Sequence, residues 1–155
     1  MCGNIFLTLE YNVWVIHMED IQIREMVGYD EGQVCALYES VGWSAYTRDP
    51  DSLKKGVMNS LCVLGAYEDE KLVGLIRAVG DAVTIVFIQD ILVHPAYQRR
   101  GIGRALIARL LERYRNVRQI HLLTDDIPET VGFYKAVGFT PVELIHAKAF
   151  TRLKY

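Results

Sequence analysis

The chain has 155 residues, of which 51% are hydrophobic and 23% charged, and its formal net charge is −2. That length suits one domain with a real core and leaves no room for a second domain of ordinary size. So balanced a charge gives no overall pull toward nucleic acid or an anionic membrane, and any basic patch must be local.

Residues 1–17 read as an N-terminal extension. The stretch from Asn4 to Ile16 is apolar, but Glu10 interrupts it and it is shorter than a membrane span. It lacks the basic start and small-residue cleavage site of a secretory signal. Its partial alternation predicts an ordered, strand-like arm on the domain or on a second subunit, and a homodimer is the expected assembly. Met18 reads as a natural domain start, so residues 18–155 form the expected domain.

Ile21 to Arg24 alternates as a half-buried strand does. Asp30 and Gln33 make a capping-box pattern ahead of Val34, Leu37, Tyr38 and Val41, which recur at helical spacing until Gly42. An aromatic connector, Trp43 to Arg48, leads to Asp49-Pro50, where proline at the first helical position starts a second helix running to about Asn59. Leu61–Tyr67 and Lys71–Val79 are strand-like runs around the polar Glu68-Asp69-Glu70, hence a hairpin. Gly80-Asp81 turns the chain into a long strand, Val83 to Val93. A helix follows from Gly101 to about Tyr114, then a strand from Gln119 to Thr124. Asp126 and Glu129 suggest a capping box for a helix ending at Gly138, and Phe139 to Lys154 most simply holds two more strands. The order β-α-α-β-β-β-α-β-α-β-β defines a mixed α/β domain with antiparallel middle strands and a crossover near the third helix.

The run Gln89 to Leu106 carries the chemistry. A buried strand ends at Val93, His94-Pro95 turns the chain, and Gly101 and Gly103 open a helix. The first turn of a helix presents free N–H groups and a positive dipole end, and glycine lets phosphate oxygens approach the backbone. Arg99, Arg100 and Arg104 add charge that pairs with phosphate. The pattern suits a di- or polyphosphate. It is not the nucleotide loop GxxxxGK(S/T), since no lysine follows the glycines. It is not the dinucleotide fingerprint either, because Leu106 stands at the third glycine and the gap after the strand is too long.

Gln98-Arg99-Arg100-Gly101-Ile102-Gly103 resembles the Q/R-x-x-G-x-G/A signature of the GNAT acetyltransferases. The preceding strand ends in Leu-Val-His-Pro, and Phe133-Tyr134-Lys-Ala-Val-Gly138-Phe139 is similar to that family's F-Y-x-x-x-G-F. The resemblance covers roughly residues 18–150. It implies a central, mixed, mostly antiparallel twisted sheet with splayed central strands and about four flanking helices. It implies that Gln98, Arg99, Arg100, Gly101, Ile102, Gly103 and Arg104 hold the pyrophosphate of acetyl-CoA, used as a co-substrate. The pantetheine arm would bond to the backbone of Ile91, Leu92 and Val93, with the strand from Gln119 to Thr124 across the splay. One departure is Ile127, which stands where many members carry asparagine.

Acyl transfer to an amine needs a stabilised thioester oxygen, a route for the amine's proton and a proton for the departing sulfur. Tyr134 stands where the family's general-acid tyrosine stands, and it contacts acetyl-CoA there. Asp90 is the acid of the strand leading to the loop. Alternation turns it to the face opposite Gln89 and Ile91, so it is a candidate base or substrate anchor, or else a structural acceptor. A water relay without a direct base is the other route. Tyr38, Trp43 and Tyr46 lie where such proteins build the acceptor pocket, with ordinary core packing as the alternative.

The three cysteines, Cys2, Cys35 and Cys62, are widely spaced and form no metal pattern. They read as reduced thiols of a cytoplasmic protein, and no metal site is expected. Arg109, Arg113, Arg115 and Arg118 read as a solvated helix face and not as a nucleic-acid site. The resemblance thus implies an N-acetyltransferase that moves acetyl directly from acetyl-CoA to a primary amine, small-molecule or peptide, within a ternary complex. A non-catalytic acyl-CoA-binding regulator on the same fold is the alternative.

Overall fold

In the computed structural model the described residues are 16–18 and 20–153. Contacts divide the chain into two compact units, the first ending at Leu122 and the second starting at Leu123. The first holds a six-stranded sheet in sequence order: β1 (Ile16–Met18), β2 (Ile21–Glu25), β3 (Cys62–Glu68), β4 (Lys71–Gly80), β5 (Ile85–Val93) and β6 (Gln119–Leu122). All neighbours are antiparallel except β5 and β6, which are parallel. A parallel pair needs a crossover, and helix α4 (Ile102–Arg113) supplies it. Of the expected N-terminal arm, Ile16 falls in β1, and the part from Asn4 to Val15 lies outside the described residues.

Helix α1 (Glu31–Ser40) starts where Asp30 Oδ1 accepts the Gln33 N–H at 3.0 Å. Gln33 does more than close the cap. Its Nε2 donates to the Asp30 carboxylate, and its Oε1 accepts the Leu72 N–H at 2.7 Å, which ties the helix start to β4. The connector contains a short uncapped helix, α2 (Ser44–Thr47). Helix α3 (Pro50–Met58) has proline in its first turn, and Asp49 caps it through the Ser52 N–H.

Side chains from α1 and α3 (Val34, Leu37, Leu53 and Val57) pack with Tyr67, Leu72, Leu75 and Leu92 on one face of the sheet. Helix α4 lies against β3, β4 and β5 and buries Ile102, Leu106, Ile107 and Leu110. A Cβ at Gly74 would stand 3.2 Å from Ile102 Cγ2, while the next residue, Leu75, belongs to the first core. Successive strand residues face opposite ways, so α4 covers the other face, and Gly74 lets its first turn come close to β4.

The second unit contains α5 (Pro128–Ala136) and a short 3-10 turn, Val142–Ile145. Two expectations are corrected here. Asp126 does not cap α5: Pro128 takes the first helical position, which leaves Ile127 as the cap residue, with no side-chain capping bond. The two strands expected between Phe139 and Lys154 are not formed over 139–153. The chain instead passes through Pro141 into the 3-10 turn and then a left-handed residue, His146 at φ 57°. Neither is compatible with a continuous strand.

Candidate functional site

The site begins with a difference in length. Strand β4 follows β5 as far as Val93, but β6 pairs with β5 only from Ile85 to Ile88. From Gln89 to Val93 the edge of β5 away from β4 has no strand partner among the described residues. A bulge marks the transition: Arg77 pairs with Asp90 and Ala78 with Ile88, which leaves Gln89 as the extra residue. The His94 N–H donates to Val73 O at 2.9 Å, which makes these two residues a hydrogen-bonded pair of the ladder. By the two-residue alternation of an antiparallel ladder, Leu92 also turns its backbone groups toward β4, while Ile91 and Val93 turn theirs to the free edge. Of the three backbone positions expected from the sequence, Ile91 and Val93 are therefore the ones facing outward.

The loop after β5 is held from both ends. His94 Nδ1 accepts the Ala96 N–H at 3.2 Å and so caps the 3-10 turn Pro95–Tyr97. Gln98 reaches back, its Nε2 donating to Val93 O at 3.1 Å. Arg99 and Gly101 then take left-handed backbone conformations, at φ 60° and 85°. Arg99 bears the steric strain of that region, and Gly101 avoids it. The first N–H in α4 to reach back to a loop carbonyl is that of Ala105, which bonds Gly101 O at 3.0 Å. The N–H groups of Ile102, Gly103 and Arg104 are thus the first-turn donors that a helix leaves free. Arg99 and Arg104 are exposed. The Arg100 guanidinium lies over the Tyr97 ring, 5.2 Å from its centroid.

The free strand edge and the loop fit acetyl-CoA. A pyrophosphate needs several N–H donors converging beside cations, and residues 98–104 supply both. An extended amide-bearing arm needs an open strand edge, which Ile91 and Val93 offer. Acetyl-CoA would contribute an acetyl group already activated as a thioester.

Asp90 is 2% exposed and lies among partners the sequence did not point out. Its Oδ2 accepts from Arg77 Nε at 2.5 Å and from the Tyr38 hydroxyl at 2.7 Å. Arg77 Nη1 continues to Gly56 O at 3.2 Å, and so joins β4 and β5 to α3. Burial works against the charge on Arg77, but Asp90 more than offsets it, and the guanidinium pKa is raised. Burial, then the Asp90 carboxylate, push the Tyr38 phenol well above its ordinary value. One sign of this network was available: a lone arginine in the apolar run Leu72–Val79, where a buried guanidinium calls for acceptors and a charge partner.

Tyr38, Trp43 and Tyr46 do form one cluster, with ring centroids 5.3–6.0 Å apart. Tyr38 is fully buried, whereas Trp43 is 36% exposed, so the cluster runs from the core to the surface. In the second unit, Tyr134 is half-buried between Phe133 and Phe139, at 5.2 and 6.0 Å. Burial raises its pKa, and a hydrogen bond with Thr124 opposes the rise. Among the described residues no cluster of His, Cys, Asp or Glu could hold a metal ion, and no helix is long and apolar enough to cross a membrane.

The model for the Acetyltransferase (GNAT) family matches residues 29–139. A solved GNAT-family acetyltransferase of Streptococcus pneumoniae superposes at a TM-score of 0.78 with 32% identity, over 86% of this chain and 98% of its own. An uncharacterized ycf52-like N-acetyltransferase of Prochlorococcus marinus is 33% identical over 110 residues, 67% of this chain and 59% of its own length. The chloroplastic serotonin N-acetyltransferase 2 of Oryza sativa is 31% identical over 138 residues, 83% of this chain and 66% of its own length. Sheet order, open strand edge and N–H-rich loop, taken with these likenesses, define an acetyltransferase fold. The chain belongs to the GNAT acetyltransferase family. It spans about three-fifths of the length of the Prochlorococcus relative and of a second one from Gracilaria tenuistipitata.

Proposed function

We propose that this protein is an N-acetyltransferase that passes the acetyl group of acetyl-CoA directly to a primary amine. The observation that carries the reading is the free edge of β5 running straight into the donor-rich loop 98–104. In this reading the backbone of residues 98–103, with Arg99 and Arg104, holds the pyrophosphate. The outward N–H groups of Ile91 and Val93 orient the arm and polarise the thioester oxygen as charge develops on it. Tyr134 donates a hydrogen bond to the departing sulfur. Asp90, already engaged by Arg77 and Tyr38, positions the acceptor wall instead of taking the amine's proton, which leaves through water. Tyr38, Trp43 and Tyr46 form that wall.

The acceptor is proposed only as a primary amine. One relative is a histone acetyltransferase of Glycine max and another a serotonin N-acetyltransferase of Oryza sativa, so relatives differ in the class of amine they are named for. A panel of lysine peptides, polyamines, aralkylamines and aminoglycosides, read by release of free thiol from acetyl-CoA, tests the reading. Acceptor-dependent release is the expected result. Tight acetyl-CoA binding with no release for any amine would instead make the protein an acyl-CoA-binding regulator.

The loop is tested separately. Gly101→Val forces a β-branched residue into a left-handed conformation, and Arg99→Ala with Arg104→Ala removes two cations. Each change is expected to weaken acetyl-CoA binding by about tenfold or more in isothermal titration. Circular dichroism of the two arginine variants should match that of the unaltered protein. Unchanged affinity in all of them would remove loop 98–104 from the site.

A further inference from the structure

Of the three arginines at the loop, Arg100 is the one already engaged. The hydroxyl of Tyr97 donates to Glu68 Oε2 at 2.5 Å, and the other oxygen of that carboxylate, Oε1, lies 3.8 Å from Arg100 Nη1. Arg100 Cζ and Lys71 Nζ both lie over the Tyr97 ring, 5.2 and 5.3 Å from its centroid. Glu68 ends β3 and Lys71 begins β4, so the β3–β4 hairpin end grips the start of the phosphate loop. Arg99 and Arg104 make no ion pair among the described residues.

We infer that Glu68 is a charge tether on the phosphate loop. With one oxygen it fixes the Pro95–Tyr97 turn, and with the other it holds Arg100 to the hairpin and away from the bound anion. This rests on the proposed binding of acetyl-CoA at loop 98–104 and adds a residue that sets its strength. The chemistry gives the tether a use. Coenzyme A, the product, carries the same phosphates as the substrate, so every cation committed to them slows product release as much as it strengthens substrate binding. A carboxylate that withholds one arginine lowers both affinities together and leaves the thioester end untouched. Glu68 is thus a positioning residue, acting through Arg100.

The pair is partly exposed, with side-chain exposures of 45% for Arg100 and 34% for Glu68, so its effect is modest. Glu68→Gln keeps an acceptor for the Tyr97 hydroxyl and removes the charge that holds Arg100. Titration of acetyl-CoA and of coenzyme A into this variant is expected to give Kd values about two- to fivefold lower than in the unaltered protein. The dependence on salt should also steepen, because one more cation now meets the anion. Although the resemblance counts Arg100 among the phosphate-holding residues, the tether predicts that Arg100→Ala weakens both affinities distinctly less than Arg99→Ala, which weakens them by about tenfold. In the double variant Glu68→Gln/Arg100→Ala the gain should vanish, which separates a tether from a general background charge.

Three results would overturn the inference: unchanged or weaker binding in Glu68→Gln, a gain that survives in the double variant, or an Arg100→Ala loss as large as that of Arg99→Ala. Its failure is distinguishable from failure of the function itself. If Arg99→Ala and Arg104→Ala bind normally, the loop is not the phosphate site. If they weaken binding while Glu68→Gln does not strengthen it, only the tether falls.

Discussion

Asp90→Ala is expected to destabilise the protein by about 3–5 kcal/mol, the cost of leaving a buried charge without its partner. In a domain of this size that lowers the melting temperature by roughly 10 °C or more. Arg77 is only 8% exposed and would keep its charge with no carboxylate facing it. The Tyr38 hydroxyl would lose its acceptor at the same time, under helix α1. Asp90→Asn should fall between the unaltered protein and Asp90→Ala, since an amide oxygen can still accept from Arg77 and Tyr38 but carries no charge. Replacing the pair together, as Arg77→Met with Asp90→Leu, should recover most of the loss, because matched apolar side chains often substitute for a buried ion pair. Urea unfolding followed by circular dichroism measures all three. A loss below about 1 kcal/mol for Asp90→Ala would mean that water reaches and solvates Arg77. The same set separates two roles for Asp90. A general base contributes about 10²-fold or more to turnover, so a structural Asp90 predicts that the doubly substituted protein loses less than that at saturating acceptor.

The Asp90 network shows where sequence reading stops. Alternation along β5 placed Asp90 on the face away from Gln89 and Ile91; it runs regularly from Asp90 to Val93, while the bulge at Gln89 interrupts it on the other side. What alternation cannot supply is the partner, because the pairing of Arg77 with Asp90 is a matter of strand register, fixed only when the hairpin closes. The loop was far more legible. A β-to-α switch punctuated by glycine marks a loop and a helix start, and α4 does begin at Ile102, directly after Gly101; the left-handed backbone of Gly101 came only with the structure. The caps at Asp30 and Asp49 were readable for the same reason, since each satisfies an N–H within three residues. Asp126 misled because its spacing to Glu129 imitates a cap, although proline at 128 outweighs it. The final stretch misled through its apolar composition. Ile145 and Phe150 are 61% and 92% exposed, and the turn through Pro141 to the left-handed His146 stands where strands were expected. The tether at Glu68 was hidden in a segment that read only as a polar turn.

Tyr134→Phe is expected to lower kcat by about 10²-fold or more, with acetyl-CoA affinity kept within about twofold. The hydroxyl is the only group lost, so the ring's packing between Phe133 and Phe139 and the backbone bond from the Phe139 N–H to Tyr134 O stay in place. A phenol ionises near 10 and a thiol near 8.5, so full proton transfer to the departing thiolate runs uphill at equilibrium. The raised pKa of Tyr134 makes that transfer harder still and keeps the hydroxyl protonated at working pH. The contribution proposed for it is therefore a hydrogen bond that strengthens as negative charge gathers on sulfur, an interaction made chiefly in the transition state. Such an interaction lowers kcat and kcat/KM together when removed and leaves ground-state binding alone. The pH dependence follows with its sign: an acid with a raised pKa stays competent as pH rises, so Tyr134 imposes no alkaline loss of kcat below about pH 10. Stopped-flow measurement of thiol release in a single turnover isolates the chemical step from product release. A phenylalanine variant whose single-turnover rate stays within twofold of that of the unaltered protein would take Tyr134 out of the proposed mechanism, and water would then have to meet the departing sulfur.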